Sequence, residues 1–178
     1  IDSTMRGSVP GQIAGALAVW QQTHPNAFAV VCPAYPRMGR TVTAHRLMVD
    51  GNPVERSPIG RDPVTPVKTS DLSVLIPDSR HVAVEEIVQN SIEMVARVLT
   101  VDARSDEDLA AVAAAIVEAG PSAIPVGSAG LADAMAAIWS PFGGRGGRIE
   151  PDGQSVVTIA RGIGSPRILI QVTSLNPV

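Results

Sequence analysis

Residues 97–138, RVLTVDARSDEDLAAVAAAIVEAGPSAIPVGSAGLADAMAAI, carry the pattern on which the fold turns. Arg97–Val101 is a short apolar run of strand character. Ser105 then precedes Asp106, Glu107 and Asp108, an order that caps a helix and sets negative charge against the positive end of its dipole. Leu109, Val112, Ala113 and Ile116 make one apolar stripe, and Gly120-Pro121 stops it. Ile124–Val126 gives a second, very short strand that runs into Gly127-Ser128-Ala129-Gly130 and a helix through Ile138. Strands that are apolar throughout, separated by helices, specify a parallel sheet covered on both sides.

The same alternation extends toward the amino end. Ile13, Leu17 and Trp20 sit at helical spacing within 11–24, with Ala and Gly between them, and Trp20 belongs to that packing stripe. His24 closes the helix, Pro25-Asn26 ends it, and Ala27–Cys32 (AFAVVC) reads as a fully buried strand. His81–Val84 is expected as a short strand and Glu86–Ala96 as a helix. The expected fold is therefore α/β: a mostly parallel sheet flanked by helices in a Rossmann-like three-layer arrangement, with a long irregular excursion at about 33–70. That excursion carries Pro33, Pro36, Pro53, Pro58, Pro63 and Pro66, and a connection of this length usually serves function. Within it, Arg46–Val49 followed by Asp50-Gly51-Asn52 predicts a hairpin with Asp-Gly as its turn. Asp71–Leu75 predicts a short helix capped by Ser70. Beyond Pro141 the chain turns glycine-rich, with Val156–Ala160 expected as an edge strand and Arg167–Val172 as a buried one.

Composition narrows the function. With 178 residues, 45% apolar and 17% charged, the chain can bury a real core. A net charge of −3 provides no global attraction to nucleic acid or to an anionic membrane, and neither is expected as a partner. Arg145 and Arg148, in a glycine run, read as loop residues. The single Cys32 permits no internal disulfide and reads as a buried, inert thiol, consistent with a reducing, cytoplasmic location. No run reaches the ~18 apolar residues of a membrane span.

In a parallel α/β domain, ligands bind beyond the carboxyl ends of the strands. Three polar clusters fall at such ends: Tyr35, Arg37 and Arg40 in PAYPRMGRT, then Asp102 and Arg104, then Gly127-Ser128-Ala129-Gly130. The last lacks both the G-x-G-x-x-G spacing and a P-loop lysine, and reads equally as a tight packing turn or an anion site. Ahead of them all stands IDSTMRGS at residues 1–8. Arg6 offers a planar fork to a carboxylate, and Asp2, Ser3 and Thr4 can bond to hydroxyls. The expectation is that Arg6, the Arg40 loop and the Ser128 turn converge on one cleft for a small acid. Asp106, Glu107 and Asp108 match the helix dipole and are not read as metal ligands; His24, His45 and His81 are too dispersed for zinc, and no metal site is expected.

IDSTMRG, VVCPAYPRMGRT, LMVDGNPV, RDPVTPVKTSD, VDARSDEDLAAV and PVGSAGLADAM, in that order, resemble the four-carbon acid sugar kinase family, whose members have also been called YgbK-like or type III effector Hrp-dependent outer proteins. The resemblance runs from Ile1 to about Met135 and returns faintly in ILIQVTSLNPV. It implies an ATP-dependent kinase of two domains that phosphorylates the 4-hydroxyl of an acid such as threonate or erythronate. In that scheme residues 1–140 form the sugar-acid-binding domain without its first elements. Residues 141–166 form a glycine-rich linker or edge segment, and 167–178 start the nucleotide-binding domain. ATP and Mg2+ would be held mainly by parts absent from this chain, and a homo-oligomer is compatible with the scheme. Asp2, Ser3, Thr4 and Arg6 match the family's D-S-T-x-R signature at the acid site. By resemblance Arg6 clamps the carboxylate, Asp2 and Ser3 orient hydroxyls, Asp2 is the candidate acceptor of the 4-hydroxyl proton, and Arg40 steadies substrate or phosphoryl. Gly127, Ser128 and Gly130 match the turn at the domain boundary.

Members commonly read G-R-T-x-x-D-G-H-L, whereas this chain has Ala44, His45 and Arg46 at the last three positions before Leu47. The swaps remove a negative charge and add a positive one beside the expected pocket, and they count His45 and Arg46 among the candidate substrate contacts. Two other readings stand beside the kinase. One is a non-catalytic small-anion-binding module of the same fold. The other is a dehydrogenase-like nucleotide domain, which would require a glycine fingerprint that the chain lacks.

Overall fold

The computed structural model describes residues 1–139 together with the strands at 156–160 and 168–172, these last as backbone only. Two compact units emerge, Ile1–Met135 and Ala136–Val178.

In the first unit, helix α1 (Val9–Trp20) carries Pro10 in its opening turn, where a missing N–H costs nothing, and buries Val9, Ile13 and Leu17. It packs on strand β1 (Phe28–Cys32), all five of whose residues are buried. Trp20 ends the stripe half-buried, its indole N–H donating to Pro121 O at 2.7 Å and its ring stacked on His24.

The excursion is more ordered than its prolines suggest. Strand β2 (Arg40–Thr43) pairs antiparallel with β3 (Arg46–Val49), which pairs with β4 (Asn52–Pro53). The β3–β4 turn is the expected Asp50-Gly51, both with positive φ (49° and 76°). The β2–β3 turn is Ala44-His45, also left-handed at 48° and 65°, a pairing that the sequence does not announce because neither residue is glycine. Helix α2 (Leu72–Leu75) forms where expected, but its cap is Asp71, whose Oδ1 accepts the Ser73 N–H at 2.9 Å. Ser70 is instead wholly buried and bonds to Arg46 and Glu55.

Strand β5 (Arg80–His81) is shorter than expected, as is helix α3 (Glu86–Glu93), which stops when Met94 turns left-handed. Strand β6 (Val98–Thr100), helix α4 (Asp106–Ala119), strand β7 (Ala123–Gly127) and helix α5 (Ala129–Trp139) follow the predicted alternation. Ser105 caps α4 through the Asp108 N–H at 3.2 Å, and Asp106 of its first turn pairs with Arg37.

The main sheet runs β5-β6-β1-β7, parallel throughout. Both crossovers, β5-α3-β6 and β6-α4-β7, step the same way, so their right-handedness places α3 and α4 on one face, where they pack together. The fold is thus α/β, a parallel sheet flanked by helices with a smaller antiparallel sheet on the excursion. In the second unit, β8 (Val156–Ala160) and β9 (Ile168–Val172), expected as an edge strand and a separate buried strand, pair antiparallel with each other. The rest of 140–178, including the glycine-rich tract with Arg145 and Arg148, lies outside the described residues.

Candidate functional site

The carboxyl ends of β5, β6, β1 and β7 form one edge of the sheet, and the sequence-predicted polar residues gather there in separate groups. The first is the amino-terminal turn. The Ile1 nitrogen donates to Gly127 O at 2.8 Å, anchoring the segment at the end of β7. The chain then reverses, Met5 N–H bonding to Asp2 O at 3.0 Å with Met5 at φ 64°. Asp2 Oδ2 accepts the Thr4 hydroxyl at 2.5 Å, the Arg6 amide at 3.1 Å and Arg6 Nε at 2.9 Å. Burial alone would raise the Asp2 pKa, but these hydrogen bonds from Arg6 and Thr4 outweigh it and hold the carboxyl below its usual range. Arg6 also reaches Asp62 of the excursion at 3.5 Å, and its side chain stays 42% exposed. Ser3 lies on the turn, half-buried.

The second group follows β1. Tyr35 and Arg40 exchange backbone hydrogen bonds across a tight loop, and the Arg40 guanidinium folds back onto Met38 O. Arg37 leaves the loop to pair with Asp106 at 2.7 Å. Cys32, at the end of β1, is 0% exposed, and burial pushes its thiol up to about 12. Such a thiol is not a nucleophile at neutral pH.

The Gly127-Ser128-Ala129-Gly130 turn is a packing device. Ser128 Oγ is buried, donates to Ala34 O at 2.7 Å and accepts the Gly130 N–H at 3.2 Å. A Cβ on Gly130 would stand 2.7 Å from Ala34 O and 3.1 Å from Tyr35 Cα; one on Gly127 would stand 2.9 Å from Cys32 O. The two glycines let the start of α5 close on the exit of β1. Backbone contacts therefore bring the amino-terminal turn, the Arg40 loop and the Ser128 turn to neighbouring strand ends. Among the described residues no side-chain hydrogen bond or ion pair joins Arg6, Arg40 and Ser128.

The last group was only half visible in the sequence. The left-handed Ala44-His45 turn lays the His45 ring on that of His81, with centroids 4.5 Å apart and planes 17° from parallel. Asp102, just past β6, takes the Ala44 N–H on Oδ2 at 2.7 Å and the His45 N–H on Oδ1 at 3.1 Å, with His81 Nε2 3.6 Å from Oδ1. His45 Nε2 meets the buried Thr100 hydroxyl at 3.3 Å. Burial, then the neighbouring His81, keeps the His45 pKa below its ordinary value, so the ring is neutral at pH 7. Arg46 points away, bonding to Ser70 Oγ at 3.2 Å. A cleft of about 470 Å³ opens here, lined by His81, Val82, Ala83, Val84, Glu86 and Asp102. Dispersed in sequence, His45 and His81 become neighbours because a hairpin turn and a strand end meet, a contact that no local spacing encodes.

Fold and polar edge together define an α/β domain that gathers its polar residues at the carboxyl ends of a parallel sheet, the place where ligands bind in such domains. Residues 1–135 match the family described as sugar-binding N-terminal domain, and the chain belongs to this four-carbon acid sugar kinase family. It is 38% identical over 144 residues to a D-threonate kinase of Bordetella bronchiseptica, covering 79% of this chain and 35% of that protein. It is 30% identical over 178 residues to a D-erythronate kinase of Heliobacterium modesticaldum, covering 90% of this chain and 40% of that protein. The chain thus spans well under half the length of these curated relatives. A crystal structure from Bordetella bronchiseptica, a domain-swapped dimer with bound citrate, aligns with TM-score 0.69 and 39% identity over 78% of this chain and 36% of that one.

Proposed function

We propose that this chain forms the acid-binding domain of an ATP-dependent kinase that phosphorylates the 4-hydroxyl of a four-carbon sugar acid of the threonate or erythronate type. The observation that carries the reading is the coincidence of two facts. The match to kinases of such acids covers residues 1–135, and within it Asp2, Thr4 and Arg6 sit bonded together at the carboxyl edge of the sheet. Bound citrate in the Bordetella relative supports a small-acid ligand, and its swapped dimer supports a homo-oligomer.

In this reading Arg6 offers the acid's carboxylate Nη1, which exchanges its long 3.5 Å contact with Asp62, and Nη2, which leaves its equally long 3.5 Å bond to Asp2 Oδ1. Asp2, held ionised, accepts hydroxyl protons in hydrogen bonds, with Thr4 fixing its orientation and Ser3 adding a hydroxyl on the same turn. A carboxylate this well satisfied is a better orienter of hydroxyls than a base. Arg40 must leave Met38 O to reach a transferring phosphoryl group. Gly127, Ser128 and Gly130 support the edge by packing, and His45 and Arg46 lie on the separate Asp102 side.

The described residues do not fit a Mg2+-nucleotide site. Among them no group of three His, Cys, Asp or Glu is placed to hold a metal ion, and the glycine turn is filled by its own packing. ATP and Mg2+ belong, in this proposal, to the remainder of the kinase, and no transfer step is assigned to these residues. The test uses the complete protein, with ATP and Mg2+, against D-threonate, D-erythronate and 3-oxo-tetronate, following ADP release and the new phosphate ester by 31P NMR. Phosphorylation of one acid is expected. Binding without turnover overturns the kinase and leaves the anion-binding module, and the absence of both binding and turnover overturns the whole proposal.

A further inference from the structure

Arg6 carries one positive charge, and the fold sets two carboxylates against it. Asp2 belongs to the same turn and holds Nε at 2.9 Å. Asp62 comes from the excursion and faces Nη1 at 3.5 Å. Both carboxyls titrate below their usual range, Asp2 against its burial through Arg6 and Thr4, Asp62 through the Thr65 and Val64 amides. Both are therefore ionised at neutral pH. Lys68 is committed to Gly60 O at 2.9 Å, and Arg61 makes no ion pair with either carboxylate. Asp2 already matches the charge of Arg6, so the charge of Asp62 is in surplus.

Asp62 is also tethered. Its Oδ1 accepts the Val64 and Thr65 amides, each at 2.9 Å, which leaves Oδ2 turned to Arg6. The loop is closed beneath it by Val67 N–H on Ile59 O at 3.3 Å. Gly60 seats that base so closely on the preceding turn that a Cβ there would stand 2.1 Å from Glu55 O. An acid that takes Nη1 breaks the contact with Asp62 but leaves the carboxylate standing beside it.

Resting on the acid-binding reading, we propose that Asp62 is a specificity-determining residue, which makes the Arg6 site favour acids with one negative charge over diacids of the same length. The distinction matters chemically. A diacid that carries a carboxylate in place of the terminal CH2OH offers the same first three carbons and no 4-hydroxyl to phosphorylate. Contacts to the first carboxylate and its neighbouring hydroxyls cannot tell the two apart, whereas charge can. The second carboxylate lies only roughly 6 Å along the chain. Like charges at about that distance, near a surface, repel enough to weaken binding about threefold or more. Arg6 and Asp2 alone would not supply this selectivity, because their charges cancel.

The test compares D-threonate with the tartrate of the same configuration at C2 and C3, each titrated calorimetrically into the full chain. Asp62→Asn removes the charge and keeps an oxygen for the Val64 and Thr65 amides. Asp78→Asn removes an exposed carboxylate just before β5, the strand at the far edge of the sheet, and serves as control. The unaltered chain binds threonate more tightly than tartrate. Asp62→Asn narrows that ratio about threefold or more, by tightening tartrate further than threonate, and Asp78→Asn leaves it unmoved. Because the effect is electrostatic, 0.5 M NaCl shrinks the difference between the unaltered chain and Asp62→Asn. A ratio that Asp62→Asn does not change, or that Asp78→Asn changes equally, would overturn the role of Asp62 while threonate binding upheld the acid site. Failure of both acids to bind the unaltered chain would overturn the acid site and this role together.

Discussion

Asp102 accepts the backbone N–H of His45 at 3.1 Å, and with its other oxygen the N–H of Ala44, fastening the tip of the β2–β3 hairpin to the end of β6. Hydrogen bonds to a charged acceptor contribute about 1.5–3 kcal/mol each when buried. Water can replace part of this at a side chain 37% exposed. Asp102→Ala is therefore expected to lower stability by about 2 kcal/mol in total, read from the urea midpoint. An unchanged midpoint would mean that the hairpin tip holds without its clasp.

The strain in that tip can be relieved where it carries no useful side chain. Ala44 is exposed at φ 48°, and a left-handed non-glycine residue costs roughly 1–2 kcal/mol, of which glycine's extra chain entropy returns about half. Ala44→Gly is expected to raise stability by about 0.5–1 kcal/mol, visible as a higher Tm. A fall in Tm would show the turn to be unstrained.

These two residues also mark the boundary of what could be read from the chain. The parallel sheet was legible because Ser105, Gly120-Pro121 and the Leu109-Val112-Ile116 stripe are local signals, and α4 forms between them. The β3–β4 hairpin was legible because Asp50-Gly51 suits its turn. The β2–β3 hairpin was not, since Ala44-His45 is a poor turn sequence held in place by Asp102, 58 positions away. Ser70 looked like the α2 cap, yet burial beside Arg46 and Glu55 claims its hydroxyl and leaves Asp71 to cap. Arg6 was visible as a charged fork, whereas Asp62, its second partner, comes from an excursion with no periodic signal. The pattern is consistent: what tertiary contact decides, spacing does not show.

Gly130 tests the packing role of its turn. Its added Cβ would meet Ala34 O at 2.7 Å, a backbone atom that cannot rotate away, and Leu109 Cδ1 at 3.0 Å. Gly130→Ala is expected to destabilise by about 1–3 kcal/mol despite alanine's better helix propensity. Wild-type stability in thermal melts would instead mean that α5 slides outward freely.

The pH dependence of stability has two windows. His45 titrates below its ordinary 6.5 in the folded chain, first through burial and then through His81. Its contribution is complete above pH 6.5 and is lost progressively as pH falls from there toward the folded value, because the unfolded chain takes up the proton first. The charged groups facing the ring are Asp71, Asp102 and Arg46, and the titratable His81 stacks on it. The second window lies below pH 3.8. There Asp2 is held down by Arg6 and Thr4 against its burial, Asp62 by the Thr65 and Val64 amides, and Asp71 by Ser73. All three are protonated more readily unfolded, so stability falls again as pH drops through their folded values. Urea midpoints measured from pH 8 to pH 3 should show both steps, and His45→Gln should remove the upper one alone. An upper step that survives His45→Gln would assign it to another group.

Arg6 decides between clasp and ligand. Its pairs with Asp2 and Asp62 lie at the surface and are partly solvent-exposed, and surface ion pairs are worth about 0–1 kcal/mol. Arg6→Ala should accordingly leave the urea midpoint nearly unchanged while weakening threonate binding, measured by calorimetry on the full chain, about tenfold or more. Arg6→Lys should recover only part of that loss, because a point charge cannot reproduce the two-pronged contact with a carboxylate. Asp62→Asn provides the opposite sign: removing the carboxylate that competes for Arg6 should tighten binding of the acid. If Arg6→Ala instead lowers stability by several kcal/mol and leaves affinity alone, Arg6 serves the Asp2 turn and the acid is held elsewhere. If Asp62→Asn weakens binding, Asp62 positions Arg6 rather than competing with the substrate for it.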